Sequence, residues 1–502
     1  MTHGIVKSSQ WVLAGKAVGV ILQFFANVML ARWLGPAEFG VFGLINTVAL
    51  TLSSIIGLGL GNAAYKFAAE SGQHDRERVR HFLSLILWSQ LWIATGFVIL
   101  LWLARAWWMA KAFPTPLPAK TIVLCLLLAW LNVLAAFLTS ALNGLRLFRE
   151  QNLLNVLQYG VIIAVAWLLL HWGVSGAVTA YISATAAFSA IGILVLGRVD
   201  ARFFLPPPLR AYLDLRQALP FSVPYLAVFL LLGPLTTAAS IHLGSISNGL
   251  YQLGLFNIAN TLKTALSILP ITLSPVLGAA IVQAGGAHGS DDGYERLLRS
   301  TYAALSFLVV ALLVGFMFWG DWLFAVYGRA YAQAFWVFLP LAVSAGIYAL
   351  VIPLEYSLIA KNKVWAIPVF CAIKGLVLLG MTRWLAGSWG ALGLAWASLV
   401  AELVYCVLNV EFGIFNNIIP AFVRPVYYLL NCLLLGLMAL AWVLPDVWRW
   451  GLALPLGAVL AMVIIHLHPP LAEHLARITP GFARPLLVRS LRLVISPART
   501  GH

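Results

Sequence analysis

Residues 32–44 read Arg32-Trp33-Leu34-Gly35-Pro36-Ala37-Glu38-Phe39-Gly40-Val41-Phe42-Gly43-Leu44, and a degraded copy, LGSISNGLYQL, returns at residues 243–253. Both fit Leu-Gly, four residues, Gly, one residue, an aromatic (Phe42 or Tyr251), one residue, Leu. Each copy stands between two long apolar runs, so each reads as a tight hairpin joining two helices. Gly35 and Gly244 are the residues expected to turn, because a side chain resists the backbone conformation required. Pro36 can open the next helix, where a missing N–H costs nothing.

The apolar flanks are the rule along this chain. Of its 502 residues 62% are hydrophobic and 9% charged, mean hydropathy is +0.94, and a soluble domain carries about 25% charged residues. The chain therefore reads as an all-α, polytopic membrane protein. Helices rather than a barrel follow because the apolar runs are continuous over roughly 20 residues instead of alternating in roughly 10-residue segments. A short head with His3 and Lys7 leads into the first run without a small-residue cleavage site, so that run is expected to stay as an anchor. Cys125, Cys371, Cys406 and Cys432 lie in apolar runs without CxxC spacing, which argues against a metal site or a disulfide framework. Net charge is +15. In a soluble chain that would suggest nucleic acid; here the positive-inside rule accounts for most of it, and no nucleic-acid partner is expected.

Apolar runs start near Gln10, Phe39, Phe82, Thr121, Leu153, Val174, Ala218, Leu250, Leu297, Trp336, Trp365, Ala391, Val426 and Trp450. They predict about fourteen transmembrane helices. One set of connections carries Lys66, Arg76, Arg78, Arg80, Arg146, Arg149, Arg198, Arg202, Arg210, Arg216, Arg296, Arg299, Lys361, Lys363 and Arg424. The opposite set holds only Arg32, Arg105, Lys111, Lys120, Arg329, Arg383 and Arg449, so both termini are expected in the cytoplasm. The longest external connection, Arg105 to Lys120, is Trp- and Pro-rich and suits the membrane interface.

The hairpin copies belong to a longer repeat. Ser140–Phe148 (SALNGLRLF) lies opposite Ser357–Trp365 (SLIAKNKVW), and Trp172-Gly173-Val174-Ser175-Gly176 opposite Trp389-Gly390-Ala391-Leu392-Gly393. Both pairs lie 217 positions apart (357 − 140 and 389 − 172), whereas the hairpins align at 209 (243 − 34), implying a short indel. The expected organisation is a six-helix lobe over 1–205, a second over 206–420, two additional helices over 421–468 and a basic amphipathic tail over 469–502, suited to anionic lipid. An even number of helices per copy gives parallel repeats, the geometry of an alternating-access transporter; a channel or receptor with an old duplication is the bland alternative.

Few charges remain inside the apolar runs: Lys16, Lys263, Lys374, Glu355 and Glu402. A lysine at the bilayer centre costs about 2.5 to 3.5 kcal/mol on insertion scales, so the three must meet water, a partner or a substrate. At the 217 spacing Lys374, Glu355 and Glu402 fall on Leu157, Leu138 and Thr185. The cavity they imply is asymmetric and basic, with Lys16, Lys263 and Lys374 inside it and Arg32 at its outer mouth. Lys16 could instead snorkel, and Lys374 could pair with Glu355 or Glu402. The two acids are also candidates for ion coupling. Pro220, Pro224, Pro234, Pro270 and Pro275 permit kinks in the seventh and eighth runs. His466 and His468 at a helix end read as polar surface rather than metal ligands. Asp321 and Asp446 stand alone on short outer connections, so no catalytic constellation and no cofactor is expected.

Four stretches carry a family resemblance: ARWLGPAEFG from Ala31, LGLGNAAYKFAAE from Leu58, YGRAYAQA from Tyr327 and SWGALGLAWAS from Ser388. Together the chain resembles the polysaccharide transporter family, the O-antigen and exopolysaccharide flippase branch of the multidrug/oligosaccharidyl-lipid/polysaccharide exporter superfamily. The resemblance implies two six-helix lobes, often with two extra helices, in a bacterial inner-membrane flippase. It implies a substrate of undecaprenyl-pyrophosphate-linked oligosaccharide, with membrane lipids and a polysaccharide polymerase or export machinery as partners. Basic cavity residues suit an anionic pyrophosphate. A lipid II flippase and a multidrug exporter of the same superfamily are the alternatives.

Overall fold

The computed structural model describes residues 2–71, 76–113, 118–285, 291–445, 448, 449, 451, 452 and 455. The elements are helices throughout: α1 (Thr2–Ile56), α2 (Leu60–Ser71), α3 (Arg76–Leu103), α4 (Arg105–Ala112), α5 (Ala119–Gly144), α6 (Phe148–Leu168), α7 (Gly173–Asp200), α8 (Leu215–Ser245), α9 (Gly249–Gly285), α10 (Asp291–Tyr327), α11 (Ala334–Ala360), α12 (Ala366–Phe415) and α13 (Val423–Val443). Ten helices among the described residues are long and apolar enough to cross a membrane. Two of these are double. α1 is broken at Gly35 (φ 70°, ψ 171°) and α12 at Gly390 (φ 55°, ψ −129°), so each supplies two limbs. Thirteen of the fourteen expected runs thus coincide with described helical segments. The run near Trp450, His466, His468 and the 469–502 tail lie essentially outside the described residues.

The second hairpin departs from expectation. Gly244 lies inside α8, and the turn falls later, with Asn248 in the left-handed region (φ 57°) and α9 opening at Gly249. The Leu-Gly match at 209 picked the wrong glycine: the left-handed residue is Asn248, whose short polar side chain tolerates that conformation, and the glycine this turn needs is Gly249, where a Cβ would overlap the Leu243 carbonyl. α8 and α9 run on as helices through their prolines.

Three other turns share one construction. The N–H of Leu147 bonds the carbonyl of Leu142 at 2.9 Å, Lys363 that of Leu358 at 2.8 Å and Ile418 that of Gly413 at 2.8 Å. Each closes over one left-handed residue, Arg146 (φ 62°), Asn362 (φ 58°) or Asn417 (φ 55°). This is the six-to-one helix stop, which satisfies a terminal carbonyl within the turn itself.

The chain forms two compact units. The first holds residues up to Ile258, with Tyr327–Tyr331 and Cys371–Leu394; the second holds Ala259–Val326, Ala332–Phe370 and the described residues from Ala395 on. Inside the first, Phe67 stacks on Phe82 at 3.9 Å within a core that includes Leu138 and Phe188. The stretch leading into α8 is fastened to one face of α3. Ser84 Oγ donates to Leu205 O, Trp88 Nε1 to Phe204 O at 3.1 Å, and His81 Nε2 meets Asp214 Oδ2 at 2.9 Å.

In the second unit α11 is the central helix, with 94% of its apolar window buried. Polar side chains fasten α13 beside it: Tyr427 Oη donates to Ile347 O at 3.0 Å, Asn431 Nδ2 to Cys406 Sγ at 3.2 Å and Tyr428 Oη to Glu411 at 2.8 Å. Arg424, read from sequence as a loop charge, pairs with Glu411 at 2.6 Å. Asp321 does not stand alone. Its carboxylate lies 3.2 Å from Arg449, which is 2% exposed and sits over the rings of Phe335 and Trp336. The two residues are 128 positions apart (449 − 321), a separation at which sequence gives no pairing signal.

Candidate functional site

The repeat signatures found in the sequence converge in the first unit. The second limb of α1 crosses the start of α9 so closely that neither backbone leaves room for a side chain. A methyl group on Gly40 would overlap the Leu250 carbonyl, and one on Gly254 would overlap that of Pro36. One on Gly43 would fall 2.6 Å from Asn257 Cγ. Residues 36, 40 and 43 therefore meet 250, 254 and 257, positions related by a spacing of 214 (250 − 36). Gly40 touches residue 250, the counterpart of 36, while Gly254 touches 36 itself. That reciprocity is the signature of a two-fold contact, here between two copies of one motif.

Two polar side chains, also 214 positions apart (252 − 38), stand at the later turns. Gln252 Oε1 accepts from Ala391 N at 3.0 Å, capping the second limb of α12 beside Gly390. The Glu38 carboxylate stands at the first residue of α7, 3.3 Å from where a Gly173 Cβ would be. Acceptors at a helix start meet N–H groups without intrahelical partners. The second Trp-Gly turn is thus gripped by its hairpin, and the first lies against the Glu38 carboxylate.

The YGRAY stretch completes the assembly. Tyr331, 2% exposed, donates its hydroxyl to Ala31 O at 2.8 Å, and Tyr251 Oη donates to Ala330 O at 3.1 Å. Tyr331 packs edge-on against Phe39, and Tyr327 against Phe24. Ala31 belongs to the last four carbonyls of its limb, which a helix end leaves to outside donors.

The charged candidates divide between the units. Lys16 lies on α1, but its side chain is outside the described residues. Arg32 is exposed in the last turn before Gly35. Lys374 is half-buried on the first limb of α12, next to Gly375, against which Leu235 of α8 packs. Lys263, half-buried on α9, belongs to the second unit together with Glu355 and Glu402. The two acids are brought into one polar region. Glu355 accepts from Tyr405 Oη at 2.6 Å, and Glu402, 3% exposed, lies three and four residues before Tyr405 and Cys406 on one helix face. Sequence reading missed Tyr405, Tyr331, Glu38 and Gln252 as site residues. For Glu38 and Gln252 the signal available was a shared repeat position, two residues before Gly40 and Gly254; Tyr331 and Tyr405 carry no such signal.

Comparison with known proteins gives this architecture its class. The fold is similar to that of a lipid II flippase MurJ in an inward closed conformation (TM-score 0.69, 13% identity, covering 95% of this chain and 99% of that one). It is also similar to an inward-facing multidrug resistance MATE family transporter of the MOP superfamily (TM-score 0.61, 15% identity, 81% and 98%). This is the fold of a membrane transporter. The model of the polysaccharide biosynthesis protein family matches residues 5–282, more than half of the chain, and the chain belongs to that family. Among curated relatives, the EPS I polysaccharide export inner membrane protein EpsE of Ralstonia nicotianae is 22% identical over 396 residues, 77% of this chain and 87% of the relative. The EpsE of Ralstonia solanacearum is 23% identical over 397 residues, with the same shares.

Proposed function

We propose that this protein is a flippase that moves undecaprenyl-pyrophosphate-linked oligosaccharide repeat units across the bacterial inner membrane for O-antigen, capsule or exopolysaccharide synthesis. The observation that carries the reading is family membership over residues 5–282, supported by relatives named for polysaccharide export in the inner membrane. The polyprenyl tail stays in lipid while the headgroup passes through the protein. Lys263, with Lys16 and Lys374, attracts the pyrophosphate, since charge-assisted hydrogen bonds to phosphate oxygens are strong in a site of low dielectric. Arg32 stands at the outer mouth, Glu355 and Glu402 serve ion coupling or pairing, and both termini face the cytoplasm. The lobes are residues 1–205 and 206–420, and a polymerase or export complex receives the product.

The first test is the leaflet distribution of polyprenyl-linked oligosaccharide in cells lacking the protein. Completed repeat units accumulate on the cytoplasmic leaflet and surface polysaccharide disappears if the reading holds. Normal distribution with persistent surface polymer removes it and leaves drug export to pursue. Lys263→Ala should cut export at unchanged protein level; unchanged export removes Lys263 from the substrate path. A lipid II flippase is the second reading, favoured by a fold likeness that covers 95% of the chain. Lipid II accumulation in the depleted cells would select it.

A further inference from the structure

The second limb of α1 ends at Ile56 and α2 begins at Leu60, with Gly57, Leu58 and Gly59 between them. Leu58 (φ 49°) and Gly59 (φ 66°) both hold the left-handed region. Gly59 suits it and leaves no room for a side chain, since a Cβ there would lie 2.6 Å from the Ser222 carbonyl oxygen of α8. Leu58 does not suit it, because a bulky side chain resists that conformation. The break lies at membrane depth. Gln90 Nε2 donates to Gly57 O at 3.1 Å. Gln90 stands eight residues beyond Phe82 (90 − 82), where the apolar run of α3 starts, which is about 12 Å along the axis. α2 runs back beside α3 to that same edge: Phe67, eight residues beyond Gly59 (67 − 59), stacks on Phe82 at 3.9 Å. The start of α2 therefore points into the apolar layer. A membrane helix broken at that depth presents backbone groups that need partners where water is scarce.

The groups at the break are polar and of both hydrogen-bonding kinds. The first turn of α2 holds no acid, so its N–H groups and positive dipole end meet no carboxylate of their own turn. Gln90 is 3% exposed. Its amide is oriented by Gly57 O, which can only accept, and the Oε1 so placed has no hydrogen-bond partner among the described residues. A buried acceptor without a partner carries a desolvation cost that an arriving O–H recovers. α5 also comes close here, since a Cβ on Gly61 would lie 3.1 Å from Ser140 Oγ, and Asn62 is exposed in the same turn. Gln90, Asn62 and Ser140 carry no formal charge. An anion would use the donors alone and a cation the acceptor alone, whereas a hydroxyl donates and accepts at once.

We propose that the break at residues 57–59 is a subsite for a sugar hydroxyl of the transported headgroup, with Gln90 Oε1 as its acceptor and Asn62, with the first turn of α2, as its donors. The proposal rests on the flippase reading above and deepens it. The lysines named there meet the pyrophosphate, and this neutral turn meets the sugar. Gln90 and Asn62 are then specificity-determining residues, which act on the glycosylated lipid and not on the bare carrier.

Binding of two lipids to the full-length protein in nanodiscs tests it. The probes are undecaprenyl pyrophosphate and the polyprenyl-pyrophosphate-linked oligosaccharide purified from cells lacking the protein. The wild type should bind the glycosylated lipid more tightly. Asn62→Ala and Gln90→Leu should each weaken that binding about three- to tenfold, the worth of one hydrogen bond, and leave the bare lipid unchanged. Equal weakening for both lipids means that the residues only support the fold and overturns the subsite, as does a sugar preference that both variants retain. Equal binding of the two lipids by the wild type overturns it as well and leaves water as the occupant of the break. Asn62 is exposed, so Asn62→Ala decides the matter where Gln90→Leu fails to fold. A wild type that binds neither lipid is a failure of the flippase reading itself, distinct from a wild type whose sugar preference survives in the variants.

Discussion

Two sets of turns serve the same task in this chain by opposite means. At Gly35 and Gly390 the helix breaks at glycines in backbone regions that side chains avoid, and the turn at Gly390 is gripped by Gln252 from another hairpin. At Arg146, Asn362 and Asn417 each turn closes on its own carbonyls, and left-handed residues with side chains suffice. The first set needs glycine for its backbone conformation, and at Gly390 the sequence is constrained by a neighbour as well. The second is locally complete, so its loops are free to carry charge. Arg146, Arg149, Lys361, Lys363 and Arg424 cluster around these self-closed turns, which is the set the charge pattern assigns to the cytoplasm.

The sharpest way to break the comparison is Gly390→Ala. It combines a backbone conformation essentially reserved for glycine with a Cβ placed 2.6 Å from Gln252 Oε1. Strain of about 1–3 kcal/mol and overpacking of about 1–3 kcal/mol should both act, for a loss on the order of 3 kcal/mol in thermal unfolding of the detergent-purified protein. Gly35→Ala separates the two terms, because nothing lies within 4 Å of the added carbon. It should lose only the strain, about 1–3 kcal/mol. If Gly35→Ala costs as much as Gly390→Ala, the grip from the neighbouring hairpin contributes nothing.

The same contrast explains what the sequence could and could not disclose. Helix number and the Gly35 turn were legible because bilayer thickness fixes run length and because glycine followed by proline marks a turn with a mechanism. The repeat was legible as well, yet its hairpin spacing of 209 was wrong. The structural spacing of 214 is closer to the 217 of the remaining repeat, and a turn built on Asn248 looks like any loop. Glu38 and Gln252 share a repeat position without sharing a charge, so charge placement in the sequence does not single them out as a pair. Arg449 looked like an external loop charge because burial beneath Phe335 and Trp336 depends on chain folding over long separations. Lys16, Lys263 and Lys374 were found because charge in hydrocarbon is costly, which says that a partner exists and nothing about which one.

A smaller effect probes the grip itself. Gln252→Ala removes the acceptor on Ala391 N and should cost about 1 kcal/mol, the usual worth of a helix cap. Gln252→Glu keeps an acceptor and should recover most of it, measured by the same thermal unfolding. Recovery by glutamate would show that a carboxylate, the group Glu38 carries at the same position of the first copy, can serve as the cap here. A loss equal to that of alanine would mean that the amide, rather than an acceptor as such, is what the second copy requires.

The smallest effect belongs to the self-closed set and has the opposite sign. Arg146 holds φ 62° in a turn whose two counterparts carry asparagine, a residue that enters this region more readily. It is exposed, and the six-to-one bond from Leu147 to Leu142 is made by backbone atoms alone. Arg146→Gly should therefore keep the turn and relieve a conformation that L side chains resist. The gain should be a few tenths of a kcal/mol and no more than about 1, since glycine also loosens the unfolded chain. Arg146→Asn, which relieves part of the strain with less added freedom, should match or exceed it. A gain in both variants says that arginine stands at a backbone position it does not suit, and so is kept for its charge. A loss in both would show that the Arg146 side chain supports the turn, and this set would no longer be locally complete.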